Sequence, residues 1–401
     1  MIERIRATNF KSFKSIDVKL TDLNVLIGQN SSGKSNFVSI FQFIRDISTV
    51  GLNNALSMQG GVEYLFNFDT TADGFCEVEV FFDRKVKLNI RGRSKNKYDG
   101  LMKMSMLSYK LRLTSYKSVK KIKTFREEIK LMLSYSKEKD PINKEIIVVM
   151  ENGNVNVEGD KDEVLKNMMV IPMGKSSELL TLLRLPPFIF LFDADLRGAI
   201  QVYDFDPKLS KKAISLTGKM ALEPDGSNIA LVLRHVLNDN DERKKFIRYL
   251  KSCLPFINDI SIVEQIDKSI IFKTSETYNS NSQIPAPLIS DGTVEIVSII
   301  YCLFFQHNEL IIIEEPERNI HPHLISSVMH LIREASDSKQ IIITTHSPEL
   351  LKQVDLKNIY IVDRDKRGAS KVNGIENIQE IKIFLRDKIG VDELFIDGIL
   401  R

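Results

Sequence analysis

Eight residues, Gly28-Gln29-Asn30-Ser31-Ser32-Gly33-Lys34-Ser35, constrain this chain more than any other feature of its sequence. They match the pattern GxxxxGK[ST] at every fixed position, and their flanks fit it too. Leu23–Ile27 reads as a buried strand. Lys34 to Ile47 reads as an amphipathic helix, apolar at Phe37, Val38, Ile40, Phe41 and Ile44. Glycines let a backbone wrap closely around phosphate, so that successive N–H groups and the helix N-terminus point at its oxygens. Lys34 is expected to neutralise the β- and γ-phosphates of a nucleotide, and the Ser35 hydroxyl to hold Mg²⁺.

Two later strands supply the matching chemistry. Leu310-Ile311-Ile312-Ile313 ends in Glu314-Glu315, followed by Pro316-Glu317. Ligands of a parallel sheet sit beyond the carboxyl ends of its strands, so both acids should face the triphosphate. Glu314 is expected in the Mg²⁺ shell, its length suiting a water-mediated contact. Glu315 is expected to orient or deprotonate the attacking water. Gln340–Thr345 is a second apolar strand, ending at His346, which follows Glu315 by 31 residues. That gap fits one crossover helix, around His323–Ala335, and sets the two strands side by side. At such a strand tip His346 can hydrogen-bond the γ-phosphate. Ser290-Asp291-Gly292-Thr293 opens a nearly continuous apolar helix through Phe305, as a simple N-cap or as an anion site.

Composition closes off other classes. The chain has 401 residues, 27% charged and 43% hydrophobic, which suits a globular protein of two or three domains and argues against disorder. Cys76, Cys253 and Cys302 lie far apart and form no CxxC pair, so neither a disulfide framework nor a cysteine zinc site is expected. No apolar run reaches the roughly 18 residues of a membrane span, and Met1–Ile5 does not open a signal peptide. The expectation is a cytoplasmic protein with no membrane partner.

Domain organisation follows from the same pass. Residues 1–70 are expected to hold the first part of a nucleotide-binding core, 71–160 a β-rich basic insertion and 161–260 a mainly helical insertion. Residues 261–401 complete the core with helix–strand alternation. Asn152-Gly153 signals a hairpin, Asp241–Cys253 an amphipathic helix, and Ser275–Ser282 a Ser/Asn-rich loop. The net charge of +3 conceals fifteen Lys or Arg against one acid, Asp99, between Arg84 and Arg126. In Lys85-Val86-Lys87-Leu88 and Tyr109-Lys110-Leu111-Arg112 the cations alternate with apolar residues, as on one face of a sheet. Two readings stay open: a solvated or edge-guarding face, or a surface for DNA or another acidic partner.

The order of these motifs resembles an ABC-type ATPase head, more narrowly the OLD-like and RecF/SMC-like branch of AAA-type ATPases. The residues that carry the resemblance are Asn9–Phe13, the P-loop with Asn36, Asp225–Asn228, Ser290–Thr293, Ile313–Glu317 with Ile320-His321-Pro322, and Thr344–Pro348. It implies an α/β fold, a mixed β-lobe plus a parallel RecA-like sheet, with an inserted β-rich arm and a helical subdomain. It also implies an ATP-hydrolysing enzyme with Mg²⁺ that dimerises head to head. Ser290 and Gly292 of one copy would then cover the γ-phosphate held by Lys34 of the other. Gln59 would be a Mg²⁺ ligand, Lys11 and Lys14 would contact base or phosphate, and His321 would lie near the dimer face. Glu295 and Val297 depart from the pattern, where a basic residue and a leucine are expected. The chain lacks the long coiled coils and zinc-hook CxxC of relatives that hold DNA ends. The 55 residues after His346 are too few for a Toprim nuclease domain. Such heads resemble the regulatory ATPases of antiviral defence or toxin systems, paired with a separate nuclease or toxin. The alternatives are a RecF-like repair accessory and a slowly hydrolysing, ATP-gated scaffold.

Overall fold

The computed structural model describes residues 1–70, 74–90, 100–116, 121–136, 142–159, 181–185, 188 and 199–375. The chain opens with strands β1 (Ile2–Phe10), β2 (Phe13–Lys19) and β3 (Leu23–Ile27), then helices α1 (Lys34–Val50), α2 (Leu52–Met58) and α3 (Val62–Leu65). Five strands follow: β4 (Phe75–Ile90), β5 (Gly100–Tyr116), β6 (Lys121–Ser136), β7 (Ile142–Glu151) and β8 (Asn154–Gly159). After β9 (Ile200–Tyr203) come α4 (Pro207–Ser210), β10 (Ile214–Ser215), α5 (Ile229–Asn238) and α6 (Asn240–Cys253). Next are β11 (Ile257–Glu264), β12 (Ser269–Glu276), β13 (Asn279–Pro285) and α7 (Asp291–Phe304). The last described elements are β14 (Leu310–Glu314), α8 (Pro322–Ser336), β15 (Gln340–Thr345), α9 (Pro348–Leu351), β16 (Ile359–Arg364) and β17 (Ser370–Gly374).

The chain divides into two compact units. One comprises residues 1–21, 36–198 and 363–372. Its strands form an antiparallel meander in the order β2-β1-β4-β5-β6-β7-β8. Val78, Val80, Leu111, Leu113, Ile129, Leu131, Ile146 and Val148 are buried at alternate positions, which gives this sheet an apolar face. Helix α1 contributes Phe37, Val38, Ile40, Phe41, Phe43, Ile44 and Ile47, all buried, and Phe43 packs 6.0 Å from Phe10 between ring centres. The hairpin expected at Asn152-Gly153 is present, with both residues at positive φ, 47° and 86°. Lys121–Arg126 begins β6.

The other unit comprises residues 22–35, 199–362 and 373–401. Its main sheet is parallel throughout, in the order β16-β3-β15-β14-β9. Such strands are covered on both faces and read as apolar runs, as Leu310–Ile313 and Ile341–Ile343 do. Helix α7 is buried at every position from Thr293 to Leu303. A second, antiparallel sheet, β10-β12-β11 with β13 on β12, lies with α5 and α6.

Two local expectations differ from the structure. The stretch 161–260, expected to be mainly helical, also holds β9, β10 and the start of β11. The expected loop Ser275–Ser282 is the turn and flanking strands of the β12–β13 hairpin, with Thr274 opposite Ile284. Polar side chains suit β13 because, among the described residues, it pairs only with β12.

Candidate nucleotide site

Four adjacent parallel strands deliver their carboxyl ends to one place: β3 to Gly28, β15 to His346, β14 to Glu314 and Glu315, and β9 to Asp204. The loop after β3 turns sharply before α1, with Ser31 at φ 64° and Gly33 at φ 121°. A Cβ on Gly28 would stand 2.2 Å from the Val362 carbonyl oxygen, so only glycine fits there. Ser32 N–H donates to the Gln29 carbonyl at 3.1 Å, while Gln29, Asn30 and Ser31 are exposed. Lys34 is buried, and its Nζ donates to the carbonyls of Gly28 at 2.7 Å and Gln29 at 3.1 Å. Burial lowers its pKa, opposed by the nearby carboxylates of Glu315, Glu317 and Glu314. A desolvated ammonium whose hydrogen bonds go to neutral carbonyls gains from an arriving anion.

Ser35 Oγ donates to Glu314 Oε2 at 2.9 Å. Burial raises the Glu314 pKa, and the Ser35 hydrogen bond works against that rise. A hydroxyl and a carboxylate oxygen side by side are the donors that a hard cation with few protein ligands accepts, so the pair fits Mg²⁺. Among the described residues there is no cluster of three or more His, Cys, Asp or Glu suited to a metal.

Glu315 stands at φ 48° and its N–H donates to the Thr344 carbonyl at 2.8 Å, which locks its backbone against β15. Its Oε1 lies 3.2 Å from His346 Nδ1, so the structure brings Glu315 and His346 together. Its Oε2 accepts from Arg318 Nη2 at 3.2 Å, and Arg318 Nη1 reaches Asp204 Oδ1 at 2.9 Å. Glu317 accepts from Thr345 Oγ1 at 2.5 Å and from the His346 N–H at 3.4 Å. Burial raises its pKa. Sequence reasoning gave no role to Asp204, Glu317 or Arg318. Only Glu317 carried a signal, the third acid of Glu-Glu-Pro-Glu.

The remaining candidates have the following local surroundings. Ser290 caps α7, accepting from the Thr293 N–H at 3.2 Å, and Gly292 lies so close to the Asn319 carbonyl that a Cβ would meet it at 2.5 Å. Glu295 is buried in α7, and burial pushes its pKa up to about 8. Asp225 and Asn228 brace their own turn, Asp225 Oδ1 accepting from Ser227 N–H and Asn228 Oδ1 from Glu223 N–H. Asn36 donates to Ser12 Oγ at 2.7 Å, and Lys11 Nζ to Ser39 Oγ at 3.0 Å. Lys14 is exposed. Gln59 ends α2, its N–H bonded to the Ala55 and Leu56 carbonyls. His321 N-caps α8, with its Nδ1 2.6 Å from His323 Nδ1.

In the basic stretch, Arg112 pairs with Glu77 at 2.6 Å, Lys110 with Glu79 at 3.6 Å and Arg126 with Glu151 at 3.6 Å. Arg91, Arg93 and the side chains of Lys85 and Lys87 lie outside the described residues. No described helix is long and apolar enough to cross a membrane.

Known proteins resemble this chain in sequence and in fold. A family described as "AAA domain, putative AbiEii toxin, Type IV TA system" matches residues 23–146 and 177–352. The Septu protein PtuA of Bacillus thuringiensis is 25% identical over 166 residues, which cover 33% of this chain and 42% of that protein. The match thus spans less than half of that relative's length. Among solved structures, an Smc head bound to the C-winged helix domain of ScpA superposes with a TM-score of 0.50. It is 14% identical, over 93% of this chain and 97% of that one. An Smc head from Pyrococcus furiosus with an extended coiled coil gives 0.48 at 13% identity, over 96% and 99%. The likeness to the first shows the fold of an ABC-type P-loop head.

Proposed function

Since the chain belongs to the family of AbiEii-type AAA domains, we propose that it binds ATP with Mg²⁺ and hydrolyses it where β3, β14 and β15 end. The observation that carries this reading is the contact of Glu315 with His346 beside the Lys34 loop. On nucleotide arrival, Lys34 exchanges the Gly28 and Gln29 carbonyls for the β- and γ-phosphate oxygens. The N–H groups of Gln29 to Ser35 and the α1 N-terminus cradle the same phosphates, with Asn36 following in the first helical turn. Ser35 and Glu314 would hold Mg²⁺, which would supply positive charge against the phosphates. Glu315 takes a proton from the water whose oxygen bonds to the γ-phosphorus as the bond to the β-phosphate oxygen breaks. His346, held by Glu315 through Nδ1, presents its other ring nitrogen for the γ-phosphate.

The Ser290–Gly292 helix start on the same unit supports a second step, in which this surface of another copy closes over the γ-phosphate. ATP then joins two chains, and hydrolysis releases them. The kinship with a Septu protein and an AbiEii-type family supports a regulatory ATPase of an antiphage defence or toxin system, acting with a separate nuclease or toxin effector. The RecF-like repair reading draws less support, since three of the described cations of the basic stretch, Lys110, Arg112 and Arg126, face acids.

Glu315→Gln tests the reading. The variant should bind ATP as tightly as the wild type, lose turnover by roughly a hundredfold or more, and accumulate as a dimer under light scattering. Undiminished turnover removes Glu315 as base, and a monomer at saturating ATP removes the shared site.

A further inference from the structure

We propose that Arg318 is the positioning residue for Glu315, and that Asp204 holds Arg318 in place for that task. The inference rests on the reading of Glu315 as the group that takes the water proton. Arg318 donates through Nε at 3.3 Å and Nη2 at 3.2 Å to one carboxylate oxygen of Glu315, Oε2. Its remaining arm, Nη1, lies 2.9 Å from Asp204 Oδ1. One planar guanidinium therefore spans two acids, a task its fixed fork suits and a lysine ammonium does not.

The two ends of this bridge rest on rigid backbone. Asp204 directly follows β9, where Tyr203 is in register with Ile313 of β14, so Asp204 stands level with Glu314. Its N–H is fixed to the Pro224 carbonyl at 3.0 Å. Arg318 sits in a tight turn, its N–H donating to the Glu315 carbonyl at 2.9 Å, with Asn319 at φ 64°.

The bridge also meets an electrostatic need. Asp204, Glu314, Glu315 and Glu317 crowd one end of the sheet, where the described cations facing them are Arg318 and Lys34, with His346 at the third position. When Lys34 turns to phosphate, Arg318 stays in contact with Glu315 Oε2 and keeps that side chain from swinging away. Arg318 is 43% and Asp204 57% exposed, so the pair adds little to stability, and its effect lies in orientation.

Steady-state ATPase assays and fluorescent-nucleotide titrations of Arg318→Ala, Arg318→Lys, Asp204→Asn and the double variant Arg318→Ala/Asp204→Asn test this. The inference expects kcat of Arg318→Ala to fall by tenfold or more, with nucleotide affinity within twofold of wild type. Arg318→Lys should recover part of the loss. Asp204→Asn should lose several-fold, and the double variant should be no slower than Arg318→Ala alone, because Asp204 acts through Arg318. Wild-type kcat in Arg318→Ala, or independent losses that multiply in the double variant, would overturn it while leaving Glu315 its role. Glu315→Gln, run alongside, separates the two: if it keeps turnover, the general-base reading falls, and this inference with it.

Discussion

Ser35 and Glu314, 279 positions apart in the chain, meet through a 2.9 Å hydrogen bond at the end of two strands separated only by β15. Ser35 opens the helix after β3, and Glu314 is the last residue of β14, so the fold itself creates the pair. If this pair receives Mg²⁺, Ser35→Ala should raise the Mg²⁺ concentration for half-maximal ATPase activity by roughly tenfold, the value of one hydrogen bond to a charged group. Glu314→Gln should do the same or more. Binding of nucleotide in EDTA should stay unchanged in both. An unaltered Mg²⁺ titration would assign the pair to structure alone.

Lys34 predicts a different signature. Its ammonium is buried against two carbonyls, and in the proposed function it is the cation the loop offers to phosphate. Lys34→Ala should weaken nucleotide binding by about ten- to a hundredfold, as loss of a charge-assisted contact does. The loss should grow with phosphate number, small for the monophosphate and large for the triphosphate. Calorimetry across the three nucleotides checks this, and equal losses for all three would place Lys34 away from the terminal phosphates.

Gly292 offers a test of packing rather than chemistry. A methyl group there would meet the Asn319 carbonyl oxygen at 2.5 Å, and both atoms belong to constrained backbone, a helix start and a tight turn. Gly292→Ala should destabilise the protein by about 1–3 kcal/mol, the usual range for overpacking. Gly218→Ala, whose new atom would find only a side-chain methyl at 3.3 Å, should cost less. Urea midpoints of the two variants give the comparison.

Much of the candidate site could be read because its groups stand at the ends of continuous apolar runs. Leu310–Ile313 and Gln340–Thr345 announce buried strands, and the residue after such a strand must lie at the sheet's ligand edge. Strand β9 was missed because Ile200-Gln201-Val202-Tyr203 is only four residues long and includes a polar position. Without β9, Asp204 reads as an ordinary loop acid, and its pairing with Arg318 cannot be anticipated. The register Ile313–Tyr203 is a tertiary fact. Likewise Ser275–Ser282 looked like a loop because an edge strand tolerates polar residues on its open side. Hairpin Asn152-Gly153 was readable, since that dipeptide meets the positive φ its turn demands.

Glu127 gives a prediction on stability against pH. It is fully buried in β6, where Oε1 accepts from Tyr109 Oη at 2.6 Å and Oε2 from the Leu182 N–H at 2.7 Å. Burial nevertheless dominates and raises its pKa from 4.5 to about 7. The folded state therefore holds this proton more tightly than the unfolded chain. Between pH 4.5 and 7 the native protein carries it and the unfolded chain does not, so this group favours folding at the acid end of that window. The contribution declines as pH rises through about 7, at no more than about 1.4 kcal/mol per pH unit for one proton. Glu127→Gln removes the titration, and its local hydrogen-bond loss should cost the same at every pH. The wild type should thus lead the variant most at pH 5 and lose ground, or fall behind, by pH 8. Unfolding by urea at pH 5, 6, 7 and 8 measures the difference, which isolates Glu127 from Glu295, whose raised pKa of about 8 acts in the same direction in both proteins. A gap between wild type and variant that stays constant across the series would show that Glu127 is ionised throughout and that its two donors outweigh its burial.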